Sequence, residues 1–72
     1  MKELKNVIEY LQDADKNGNY TDILQEIHEG DLSITDAKIE CIAILKRWQV
    51  EEIAPNDIKT YNRLQNLIDS IK

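Results

Sequence analysis

The chain has 72 residues, one cysteine and a formal charge of -5 at pH 7. That length bounds it to one domain with one small core, whose net stability is typically about 3 to 5 kcal/mol unless something staples it. The lone Cys41 excludes a disulfide framework and a cysteine-built zinc site, and the acid excess argues against a phosphate-binding surface. No charged-then-apolar leader and no membrane-spanning apolar run is visible, so a reducing cytoplasm is the expected setting. The use of Ile, Asn and Lys with no Phe points to an AT-rich coding source such as a low-GC bacterium or its phages.

Residues 1–14 carry Leu4, Val7, Ile8 and Leu11 at the i, i+3, i+4, i+7 spacing of one helical stripe, with Lys2, Glu3, Lys5 and Glu9 opposite. The run Lys16-Asn17-Gly18-Asn19 ends this first helix near Asp15, because Asn and Gly tolerate the left-handed backbone of a helix terminus. Residues 20–29 repeat the stripe with Tyr20, Ile23, Leu24 and Ile27. Asn19 or Thr21 is expected to cap this second helix, and Gly30 to close it. Residues 31–34 read as an extended connector, after which Thr35 is expected to cap a third helix, with Ile34 and Ile39 as a hydrophobic staple.

Nine of the fourteen residues at 37–50 are apolar, which makes this third helix the most buried segment expected in the chain; it runs to about Glu51. Ala37, Cys41, Ile44, Leu45 and Trp48 share one face, and Ile39, Ile42, Ala43 and Val50 fall largely on another, which predicts partners on two sides. The charged Lys38, Glu40, Lys46 and Arg47 fall in the gaps, where long Lys and Arg stems can lie over apolar neighbours while their heads reach water. Gln49 is the remaining non-apolar residue. Residues 53–57 break the pattern at Pro55, and Asn56 or Asp57 is expected to cap a fourth helix. Its inward residues are Tyr61, Leu64, Leu67, Ile68 and Ile71, with Ile58 at one edge. The expected fold is all-α: a small four-helix domain with a buried central third helix, spanning residues 1–72, with Tyr10, Tyr61 and Trp48 lining its edges.

The charge is unevenly placed. Between residues 18 and 36 lie Asp22, Glu26, Glu29, Asp31 and Asp36 with no Lys or Arg, whereas the rest of the chain balances nine acids against nine bases. Such a field repels phosphate backbones and favours a protein partner with a basic surface. A helix-turn-helix reading of the second and third helices has a suitable length, but Asp36 and Glu40 stand where a recognition helix needs bases, so no direct nucleic-acid binding is expected.

Two short motifs carry other chemistry. Asp13, Asp15, Asn17 and Gly18 spell D-x-D-x-N-G, the opening half of an EF-hand loop, in which alternating oxygens wrap one calcium ion. This resembles the shortened calcium loops of some bacterial surface proteins. The twelfth position is Leu24 and the nearest carboxylate is Asp22, so Asp13, Asp15, Asn17 and Asp22 are the side chains that would hold an ion. Gly30-Asp31-Leu32-Ser33-Ile34 resembles the Gly-x-Asp-Ser-Leu motif of acyl and peptidyl carrier proteins, with Leu32 where that family has aspartate. That resemblance implies Ser33 as a phosphopantetheine attachment point at the head of a long helix.

Cys41 and His28 are the only nucleophile and base for acyl transfer, and Cys41 shares its face with Ile44, Leu45 and Trp48, so a buried structural thiol is expected. His28 is expected at the surface, with no second histidine to share a metal. The function expected from these features is a non-enzymatic interaction module, a small regulator or inhibitor that binds its partner through the second helix or through apolar surface left uncovered by the core. Self-association into a homodimer is one way so small a core gains stability.

Overall fold

The computed structural model describes residues 2–52 and 57–72. They form an all-α domain: α1 (Lys2–Ala14), α2 (Thr21–His28), α3 (Ile34–Arg47) and α4 (Ile58–Ile71), with a π-helical turn at Trp48–Glu52 continuing α3. Cα extents of 35 × 25 × 16 Å leave room for two layers of helix. The break at residues 53–56, and the expected cap from Asn56, lie outside the described residues.

The core follows the stripes. Leu4, Val7, Ile8 and Leu11 of α1 meet Leu24 and Ile27 of α2, Ala37, Cys41, Ile44 and Leu45 of α3, Trp48, and Leu64, Ile68 and Ile71 of α4. Each fully buried Leu or Ile contributes roughly 1.5 to 3 kcal/mol by leaving water, so a handful of them sets the stability of a chain this short. α3 packs on α1 and α4, and α2 packs chiefly on α1, reaching α3 through Tyr20 and Ile23 at its head.

α3 is therefore central, but it is buried along one side only. The expected second set does not find a partner: Ile39 is 58% and Val50 71% exposed, Ala43 is exposed and Ile42 is half-buried. The stripe of α2 and α4 is also narrower than expected, since Tyr20, Ile23 and Leu67 are half-buried while Ile58 and Tyr61 are exposed. Trp48 lies in the core rather than at an edge.

Gln49 is the buried polar residue among the described residues. It is only 4% exposed, because the π turn rotates it inward against α4. Its Nε2 donates to the Tyr61 carbonyl and to Gln65 Oε1, both at 3.2 Å, and Gln65 Nε2 donates to Asp69 Oδ1 at 3.1 Å. A buried amide without such partners would cost roughly 1 to 3 kcal/mol, so this relay fixes how the end of α3 sits on α4.

The helix ends differ from expectation in two places. Ser33, not Thr35, caps α3: its Oγ accepts from the Asp36 backbone N–H at 3.1 Å. With the cap two residues earlier, the staple positions become Leu32 and Ala37, both packed on the core, and Ile34 points out. At the head of α2 neither Asn19 nor Thr21 caps. Asp15 reaches across the turn instead, its Oδ1 accepting from Asn19 N–H at 3.1 Å and its Oδ2 from Tyr20 N–H at 3.0 Å. The turn between them needs Gly18 at φ +70°, where a Cβ would be strained.

Candidate interaction surface

Asp22, Glu26 and Glu29 sit at i, i+4, i+7 along α2 and form one exposed outward stripe, opposite the buried Leu24 and Ile27. The end of α2 adds to it. Gly30, at φ +83°, donates its N–H to the Ile27 carbonyl at 3.1 Å, and Asp31 N–H donates to the Glu26 carbonyl at 3.0 Å. This is a Schellman ending, which brings residue 31 beside residue 26 and usually fills that contact with two apolar side chains. Here both residues are acids.

The five acids are not equivalent. Asp22 in the first turn of α2 and Asp36 in the first turn of α3 lie where a negative charge complements the helix dipole. Glu26 and Glu29 lie at the opposite, carbonyl end of α2, where each carboxylate typically costs a few tenths to about 1 kcal/mol. Gln25 Nε2 donates to Glu29 Oε1 at 2.7 Å, but among the described residues none of the five takes part in an ion pair. The two ion pairs found there, Arg47 with Glu51 at 3.1 Å and Lys72 with Asp69 at 3.7 Å, lie on other helices.

Beside this stripe a shallow groove of about 430 Å³ runs between the head of α2 and the outer side of α3. Tyr20, Ile23, Ala43 and Ile44 line it, and Glu40 and Arg47 stand at its sides. Its floor is held by aromatic contact, with the Tyr20 and Trp48 ring centroids 6.2 Å apart and tilted by 59°. Arg47 Nη1 donates to the Tyr20 hydroxyl at 3.4 Å. That contact first, and Glu51 with it, pushes the guanidinium above its already high ordinary value, so Arg47 stays charged. Trp48 Nε1 finds no acceptor among the described residues.

The other expected residues are separated. Asp13 lies on the exposed side of α1, Asn17 is exposed in the turn, and both oxygens of Asp15 accept backbone amides. Among the described residues no group of three or more His, Cys, Asp or Glu side chains lies close enough to hold a metal ion. Ser33 is exposed at the head of α3, and α2 occupies the stretch where carrier proteins have a long loop. Cys41 is fully buried, and burial, with Glu40 adding to it, pushes its thiol up to about 11. His28 is exposed at the end of α2 beside Lys5 and Leu4, whereas Cys41 is buried on α3.

Sequence reasoning missed Gln49 and the role of Asp15 in holding the turn before α2. An Asp five residues before a tyrosine-headed helix, across an Asn-Gly turn, is the signal that was present for the second; nothing in the composition marks the first. No helix among the described residues is long and apolar enough to cross a membrane. The chain matches no family model, no curated protein and no solved structure.

Proposed function

We propose that this protein is a non-enzymatic binding module, a small regulator or inhibitor that docks on a basic protein surface through the carbonyl end of α2 and the connector after it. The observation that carries this reading is the gathering of Glu26, Glu29 and Asp31 at one helix end, exposed and outside any ion pair among the described residues. The first two oppose the dipole of their own helix, and the one side-chain contact found for them among the described residues is the hydrogen bond from Gln25 to Glu29. A Lys or Arg from a partner would meet three carboxylates together, and Asp22 and Asp36 extend the same sign of field on either side. Charges of this kind act mostly on the rate of association, so binding weakens as salt is raised.

The test is a pull-down from the source cell's lysate with the native chain and with Asp22→Lys, Glu26→Lys, Glu29→Lys and Asp31→Lys combined. All four side chains are exposed, so the fold is retained and the circular dichroism of the two proteins matches. Loss of the captured basic proteins in the variant supports the reading; equal yield removes the acidic surface from it.

A second reading keeps Ser33 as an attachment point, and rests on its exposed hydroxyl at the head of α3. Incubation with coenzyme A and a broad-specificity phosphopantetheinyl transferase, followed by intact mass, decides it. An unchanged mass ends that reading and leaves the first untouched.

A further inference from the structure

The outer side of α3 carries a pattern that no contact within the chain uses. Ile39, Ala43 and Lys46 recur at i, i+4, i+7, and Val50 follows four residues on; all four are exposed. Exposed apolar residues are ordinary when scattered, but Ile39 and Ala43 lie along α3 and Val50 in the π turn that continues it, with Asp36 and Glu40 at one end and Lys46 and Arg47 at the other. On a chain of net charge -5, this face separates its acids Asp36 and Glu40 from its bases Lys46 and Arg47, the last also paired with Glu51 at 3.1 Å. Two copies laid antiparallel there bring unlike charges together.

We infer that this face pairs with a second copy of the chain, α3 against α3, antiparallel about a two-fold axis at Ala43. A parallel pair would set the Lys46 and Arg47 ends of the two copies side by side, and likewise their Asp36 and Glu40 ends. The antiparallel pair brings Glu40 against Arg47 of the partner subunit and lays Ile39 under the stem of Lys46 of the partner subunit, and the two-fold repeats both contacts. The small side chain of Ala43 at the crossing lets the helices approach closely, and the antiparallel dipoles add to the attraction. One helix pair buries a small interface, so dissociation falls in the range of about 10 to 100 µM typical of weak association.

Sedimentation equilibrium from roughly 5 to 500 µM tests this, a range chosen to bracket that affinity. The native chain shifts from its monomer mass of 8.4 kDa toward twice that value. Ala43→Glu, at an exposed position where folding is unaffected, sets two like charges on the axis and keeps the chain monomeric throughout. Glu40→Lys and Arg47→Glu each weaken pairing at least tenfold alone, and mixing them one to one restores a dimer, because each then meets its opposite. Circular dichroism of each variant confirms that the helices remain. A native chain monomeric at the top concentration overturns the inference. So does dimerisation insensitive to Ala43→Glu, and so does a mixture of the charge variants that fails to pair.

Discussion

α2 and α4 are both amphipathic helices whose buried side closes the same core, yet their ends are built on opposite plans. α4 begins with Asp57, whose Oδ1 accepts from Thr60 N–H at 3.1 Å while the Thr60 hydroxyl donates to Oδ2 at 2.6 Å. The Asp57 charge favours the helix, whereas Lys59 in the first turn and Asp69 in the last oppose its dipole, the latter paired with Lys72 at 3.7 Å. α2 has no side-chain cap, follows a turn that Asp15 holds through the Asn19 and Tyr20 amides, and carries two glutamates at its carbonyl end. A helix with its own side-chain cap and a helix without one can share one core, and the cap distinguishes them where hydrophobic pattern cannot.

The comparison breaks first on the core. Leu64 of α4 is completely buried, and Leu64→Ala is expected to cost about 2 to 5 kcal/mol, most of what a chain this size has, read as loss of a cooperative urea transition. Reversing the exposed acids of α2 should shift that transition far less. If the acid reversals unfold the chain and Leu64→Ala does not, the assignment of roles to the two helices is wrong.

Alkaline pH sharpens the structural half. The folded Cys41 thiol lies at about 11 against an ordinary 9.0, so its contribution is complete below pH 9 and is lost as pH rises through 11. At about 1.4 kcal/mol per decade of pH this amounts to about 2 to 3 kcal/mol. Urea midpoints measured across that window for the native chain and Cys41→Ala should converge as pH rises, since only the native chain has a thiol to ionise. Parallel curves would mean that the thiol is not held in the core.

The smallest effects lie at the helix ends, and they should differ in sign. Glu26→Gln with Glu29→Gln removes charge from a carbonyl end and raises stability by a few tenths to about 1 kcal/mol while weakening partner capture. Asp57→Ala lowers the urea midpoint. The hydrogen bond from the Thr60 side chain, then that from its backbone, holds the Asp57 carboxyl below its ordinary value. Its contribution is therefore present above pH 3.8 and fades as pH falls below it, and the variant should lose that acid sensitivity. Equal signs for the two substitutions would erase the distinction between the helices.

Much of this was legible in the residues. The i, i+3, i+4, i+7 stripe of α1 is buried as read, and Ala37, Cys41, Ile44, Leu45 and Trp48 do face inward. Helix ends were less legible because Ser33 and Thr35 have similar capping preference. The choice was made by the Schellman ending of α2, which reaches Asp31 and leaves only Leu32 before the next cap. Gln49 could not be seen because a π turn changes the residue angle locally, and a wheel drawn at the α period sends it toward water. The outward set on α3 looked like core because apolar identity does not say whether a partner helix exists to cover it. The acidic stripe was legible as composition, but its opposition to the α2 dipole needed the observed position of the helix end.

The chain's single tryptophan stands where the head of α2 meets the end of α3, its ring close to Tyr20 and sealed from water. The protein thus carries its own optical gauge of that joint. Any event that lifts α2 off α3, whether partial melting or a partner levering at the acidic end, lets water reach the indole and moves its emission to the red. Events confined to the far end of α4 leave the spectrum as it is.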